Sequence, residues 1–149
     1  MPGAKVIGEP LRTDRLHDGR RQLVRELVVD IGEDLPIHAD GFKVRATPRR
    51  IIAHVPKGFD TDYSSVPALA RPVMGRWDRH DIAGVVHDFA YRRGVRRVLA
   101  DRVWWIIARS GNRRLGPVRG FLGWTGLRLG GWLAYRKIQA REGNQRSSR

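Results

Sequence analysis

The sequence predicts an α+β domain in which a small antiparallel sheet from the first half packs against a helical second half. Between residues 18 and 67, short apolar segments alternate with Gly and Pro turns, which is typical of short strands. Beyond residue 81 the apolar residues recur at every third or fourth position, which indicates helices. The 149 residues suit a single domain, expected over 1–141 with a polar tail at 142–149.

Three segments of the first half predict strands. RRQLVRELVVDI at 20–31 is rich in Leu, Val and Ile from Leu23 onwards, although its apolar spacing also fits a helix. FKVRA at 42–46 follows an Asp-Gly turn and alternates as a half-buried strand does. RIIAHV at 50–55 reads as the next strand, because Pro48 precedes it and a Pro-Lys-Gly turn follows it.

Three helices are expected in the second half, over 81–93, 98–110 and 118–140. Asp81 suits the start of the first helix, and Gly94 suits its end. Few residues join the first two helices, which favours an antiparallel hairpin. The third helix contains five glycines, which are poor helix formers and suggest close packing or a break.

The net charge of +14 is concentrated in the second half. Residues 1–80 carry 14 Lys and Arg against 11 Asp and Glu, a net of +3, whereas residues 81–149 carry 15 against 4, a net of +11. Such a field attracts nucleic acid, an anionic membrane or an acidic protein surface, although arginines also simply solvate helices. The candidate contact residues are Arg92, Arg93, Arg96, Arg97, Arg113 and Arg114.

The clearest candidate for chemistry is a His-Asp cluster in the predicted hairpin. His87 and Tyr91 share one helix face, and an antiparallel second helix brings Asp101 towards them. A carboxylate bonded to one imidazole nitrogen leaves the other as a general base, and Asp88 could then bind a cation such as Ca²⁺. The alternative is a buried polar network that only stabilises packing.

A second polar segment, GFDTDYSSVP at 58–67, follows the last predicted strand. Its side chains could support the His87 face or supply oxygen ligands, and they could equally cap a tight structural turn. A serine nucleophile is disfavoured because the G-x-S-x-G pattern is absent. The candidate supporting residues are Asp60, Thr61, Asp62, Ser64 and Ser65.

Two blocks resemble the phage and bacterial "domain of unknown function 1353" family: VPKGFDTDYSSVP at 55–67, and AGVVHDFAY at 83–91 followed by Ala-Asp at 100–101. The resemblance covers roughly residues 18 to 135, and such proteins occur mainly in tailed phages and prophages. It implies a virion-associated protein, such as a tail, connector or baseplate component, that binds other virion proteins in an oligomer or ring.

The helix pair also resembles that of secreted and parvoviral phospholipases A2. This similarity implies that His87 is the base, Asp101 orients it, Tyr91 supports both and Asp88 is a calcium ligand. The glycine-rich calcium loop of those enzymes is missing.

The leading expectation is the virion component, assembled in the host bacterial cytoplasm, with no signal peptide and no transmembrane span. The alternatives are a calcium-dependent hydrolase of envelope lipid esters and a basic nucleic-acid-binding protein.

Overall fold

The computed structural model describes residues 3–17, 20–61 and 79–110, with the short stretches 116–118, 121–122 and 124–125 and residues 136 and 140. In these parts the strands precede the helices, which confirms the predicted α+β class. The strands are β1 (Lys5–Ile7), β2 (Thr13–Arg15), β3 (Arg21–Leu23), β4 (Leu27–Asp30), β5 (Phe42–Ala46), β6 (Arg49–Val55) and β7 (Asp60–Thr61). The helices are α1 (Arg79–Arg92) and α2 (Arg97–Ala108).

The strands form two antiparallel sheets where the sequence predicted one. A four-stranded sheet has the order β1-β4-β6-β5, and a three-stranded sheet has the order β2-β3-β7. The segment expected as a single strand at 20–31 is divided between them, into β3 and β4. After Leu23 the backbone turns away, and the amide of Val24 donates to the carbonyl of Arg12 at 3.2 Å. The strand interpretation of this segment is therefore confirmed, and its continuity is wrong.

Helix α1 lies in the centre of the core. Residues 83–91 are all buried, whereas the sequence pattern predicted burial of one face. On the sheet side, the ring of Phe89 stacks on Phe42 at 5.5 Å and meets the edge of Phe59 at 5.4 Å. The helix ends as predicted at Gly94, where φ is +74° and the Val95 amide donates to the Ala90 carbonyl at 3.0 Å.

Helix α2 packs on α1 as the predicted hairpin, with residues 93–96 between them. Its buried side includes Ala100, Val103, Trp104 and Ile107. On its outer side, Arg102 bonds both carboxylate oxygens of Glu33 at 3.1 Å, which ties the helix to the loop after β4. Of the third helix predicted over 118–140 only scattered residues are described, so that helix is not shown.

Candidate active site

His87 and Asp101 form a buried pair between the two helices. Nε2 of His87 lies 2.9 Å from Oδ1 of Asp101, and the two residues are 0% and 1% exposed. Because a carboxylate only accepts hydrogen bonds, we assign the proton to Nε2. This tautomer leaves the lone pair of the imidazole on Nδ1. The predicted pairing of the two residues is therefore present in the fold.

The second ring nitrogen of His87 is buried without a hydrogen-bond partner among the residues that the structure describes. Buried polar atoms are nearly always bonded, because an unbonded one carries the full cost of its lost hydration. Nδ1 of His87 is one of a few buried side-chain atoms in the described residues that depart from this rule, and its lone pair points to no described donor.

Tyr91 completes the cluster, one helical turn after His87. Its hydroxyl donates to Oδ1 of Asp101 at 3.2 Å, and its ring centre lies 4.2 Å from that of His87. Burial raises the pKa of Tyr91 well above its usual value, the negative charge of Asp101 raises it further, and the positive charge of Arg97 partly opposes both. Tyr91 therefore stays protonated and continues to donate over the physiological pH range.

Arg97 has a role that the sequence analysis did not assign. Its Nε lies 3.7 Å from Oδ2 of Asp101, and its side chain is 19% exposed. The prediction placed this residue among the polyanion contacts. The i, i+4 spacing of Arg97 and Asp101 on α2 is the sequence signal that points to the pair.

Asp88 is directed at a different partner. Its Oδ2 accepts a hydrogen bond from the Thr61 hydroxyl at 2.5 Å, so α1 is joined to the buried end of β7. Thr61 therefore contacts α1 through Asp88, and a supporting role towards His87 stays a prediction. Asp60 instead accepts from Gln22 at 2.9 Å and pairs with Arg20 at 3.3 Å, within the three-stranded sheet. The other predicted loop residues, Asp62, Ser64 and Ser65, lie outside the described residues.

Asp88 and Thr61 together offer carboxylate and hydroxyl oxygens, and calcium takes six to eight oxygen ligands. Within the described ranges, no group of three or more His, Asp or Glu side chains is placed to hold a metal ion. The assignment of Asp88 as a ligand stays a prediction.

Several of the predicted polyanion contacts have partners within the fold. The guanidinium of Arg92 lies 4.9 Å from the ring centre of Phe59. Arg93 lies 5.1 Å from the ring centre of Phe89 and pairs with Asp40 at 3.2 Å. Arg96 is exposed just before α2, while residues 113 and 114 lie outside the described residues. Binding of a polyanion by these arginines stays a prediction.

A cavity of 340 Å³ borders the buried pair on its Asp101 side. The sequence does not predict this cavity, because its described walls come from two separate parts of the chain. The available signal was the i, i+3, i+4, i+7 spacing on α2, which places four lining residues on one helix stripe. The described lining residues are Val98, Asp101, Arg102, Trp105, Phe121 and Trp124.

A family model described as "Protein of unknown function (DUF1353)" matches residues 39–126. This span is more than half of the chain and contains the His87–Asp101 pair. The chain belongs to this family. No curated protein and no solved structure shows a significant match. Membership in DUF1353 confirms the resemblance and brings no activity with it.

Among the described residues, no helix is long and apolar enough to cross a membrane.

Proposed function

We propose that this DUF1353 protein is a hydrolase of carboxylic esters that uses His87 as its general base. The observation that carries the proposal is the buried Nδ1 without a described partner, on the ring whose other nitrogen is bonded to Asp101. Orientation of an imidazole by a carboxylate, with the opposite nitrogen left to take a proton, is the arrangement that general-base catalysis needs.

In the proposed reaction Nδ1 takes a proton from a water molecule while the water oxygen bonds to the ester carbonyl carbon. The negative charge of Asp101 stabilises the imidazolium that forms. The proton then passes from Nδ1 to the departing alcohol oxygen as the carbon–oxygen ester bond breaks, which regenerates the neutral imidazole. Because His87 has no exposed surface, atoms that cover it must move aside for substrate to enter.

The resemblance to the phospholipase A2 helix pair supports the roles given to the three residues. It assigns the base to His87, the orienting carboxylate to Asp101 and a supporting hydroxyl to Tyr91. The observed bonds join these same groups, at 2.9 Å for His87 and 3.2 Å for Tyr91. A lipid ester is therefore the first substrate to test.

The test measures fatty-acid release from anionic phospholipid vesicles, with calcium and with a chelator. Wild type is compared with His87→Asn and with His54→Asn, a control on the exposed pair with Glu26. We expect His87→Asn to lose at least about 100-fold in turnover, the lower range of general-base contributions, and His54→Asn to keep wild-type turnover. Absence of turnover by folded wild-type protein in both conditions, on vesicles and on soluble esters, would overturn the proposal.

A second proposed role is that of a tailed-phage or prophage virion component that binds neighbouring proteins. The observation that favours it is exposed apolar surface beyond α2, at Val118 and Leu122, which are 70% and 47% exposed. A virion component should co-purify with particles at a fixed stoichiometry, and Leu122→Asp should release it. Particles that lack the protein would exclude this role. The two roles are compatible, because a particle can carry an enzyme.

A further inference from the structure

Four of the six described residues that line the cavity beside Asp101 belong to one stripe of α2. Val98, Asp101, Arg102 and Trp105 follow one another at helical spacing, and Phe121 and Trp124 face them from the chain beyond. Asp101 belongs to both the cavity wall and the buried cluster, since its Oδ1 accepts from His87. Whatever occupies the cavity therefore contacts the residue that orients the proposed base.

Three of the described lining residues are aromatic, and two are charged. Trp105 and Trp124 meet edge to face with ring centres 6.3 Å apart, and Phe121 lies 6.4 Å from Trp124. The two charged lining residues already have partners. Arg102 is bonded to Glu33, and Asp101 accepts bonds from the cluster on α1. Against these described walls a ligand gains contact area, and both charged side chains among them already have partners.

The volume limits the size of the ligand. Small-molecule sites occupy about 300–1,000 Å³, so this cavity lies at the lower end of that range. At roughly 30 Å³ for each non-hydrogen atom, the share of liquid volume that a water molecule takes, it holds about ten such atoms. The exposed side chains of Val98 and Phe121, at 61% and 58%, offer apolar surface at its edge.

We propose that this cavity binds a linear hydrocarbon chain of about ten carbon atoms, the acyl chain of the ester that His87 attacks. The binding of the chain follows from the cavity alone, and its assignment to a substrate rests on the proposed function. A cationic ligand is disfavoured although aromatic rings attract cations, because Arg97 lies beside the carboxylate and Arg102 lines the wall.

Binding is tested with 10-bromodecan-1-ol, an uncharged chain whose bromine quenches tryptophan fluorescence on contact. We expect saturable quenching from Trp105 and Trp124. Val98→Glu places a charge on the cavity wall and should weaken binding at least tenfold. The matched control Val44→Glu changes a similarly exposed valine on strand β5 and should stay within about twofold of wild type. Thermal unfolding checks that both variants are folded.

Three results would overturn the assignment: no saturable quenching, equal binding by Val98→Glu and wild type, or preferential displacement of the alcohol by benzyltrimethylammonium. The last result would make the cavity a cation site. Saturable quenching in His87→Asn as in wild type would support the cavity as a site that exists independently of the base.

Chain-length dependence separates this inference from the proposed function. With p-nitrophenyl esters, kcat/KM should rise about fourfold for each buried methylene and level off near ten carbons. Binding of the bromoalcohol without turnover of any ester would overturn the hydrolase and leave the cavity assigned. Turnover that does not change with acyl length would overturn the cavity's role in the substrate site and leave the hydrolase.

Discussion

Replacing Asp101 by Asn alters the buried cluster while nearly preserving the size of the side chain. The wild-type carboxylate accepts from His87 at 2.9 Å and from Tyr91 at 3.2 Å, and Arg97 lies 3.7 Å away. Asn keeps one accepting oxygen, but the negative charge is lost and the second oxygen becomes a donor. Each of the three neighbours therefore loses an interaction with an ionised group.

The cost can be worked from these contacts. A hydrogen bond to a charged group contributes about 1.5–3 kcal/mol and a neutral one about 1 kcal/mol, so two weakened bonds lose about 2 kcal/mol together. Loss of the Arg97 attraction adds up to about 1 kcal/mol, and the lower desolvation cost of a neutral amide offsets about the same amount. We expect Asp101→Asn to lower the free energy of unfolding by about 2 kcal/mol at neutral pH.

Urea unfolding followed by tryptophan fluorescence measures this loss, with an unchanged m-value as the sign of an unchanged fold. Asp34→Asn is the matched control, because Asp34 forms an exposed pair with Arg49 at 2.9 Å and should cost less than about 1 kcal/mol. If the free energy of unfolding of Asp101→Asn were within about 0.5 kcal/mol of the wild-type value, the contacts of the carboxylate would not stabilise the fold. The role of Asp101 in orienting His87 would then be refuted as well.

Substitutions at three further positions test other contacts. Burial raises the pKa of Tyr91 above the ordinary 10.0, so its contribution to the free energy of unfolding is complete below about pH 10 and falls above it, by up to about 1.4 kcal/mol per pH unit. Tyr91→Phe should remove this loss of stability when urea unfolding is repeated at alkaline pH. A variant whose stability falls with pH as steeply as that of wild type would contradict the prediction. Gly41→Ala should cost about 3 kcal/mol in urea unfolding, because φ is +82° and a Cβ would lie 2.3 Å from Cζ of Phe89; a neutral effect would refute the close approach. Thr61→Val should lower the free energy of unfolding by about 2 kcal/mol, because it removes the hydroxyl that donates to Asp88. Thr61→Ser keeps a hydroxyl and should retain most of the wild-type stability.

The buried pair could be predicted because its information is local. His87 and Tyr91 are four residues apart, and the short connection before α2 leaves Asp101 few positions other than beside them. Strand β5 coincides with the predicted 42–46, and β6 begins one residue earlier than predicted. Both strands follow clear turn signals, so their bounds depend little on distant residues.

The features that were missed depend on distant parts of the chain. Nothing within 20–31 shows that β3 pairs with β2 and β7 while β4 pairs with β1 and β6. Helix α1 is buried on all sides because other parts of the fold pack around it, whereas its own apolar period predicts only one buried face. The cavity needs side chains near residue 121 as well as α2. Such arrangements arise from tertiary packing, which local periodicity does not encode.

The strand order of the four-stranded sheet places positively charged side chains on its two edge strands. Strands β1 and β5 are its edges, and within the described residues no further strand covers their outer sides. Exposed Lys5 lies on one edge, and exposed Lys43 and Arg45 lie on the other. Two copies that paired β5 edge to edge would bring like charges together, so these side chains oppose sheet-to-sheet aggregation. This protection is electrostatic, so dissolved salt screens it. In 1 M salt the Debye length falls to about 3 Å, and the repulsion between the two edges becomes weak. Concentrated salt therefore favours self-association of the native protein through its open edges.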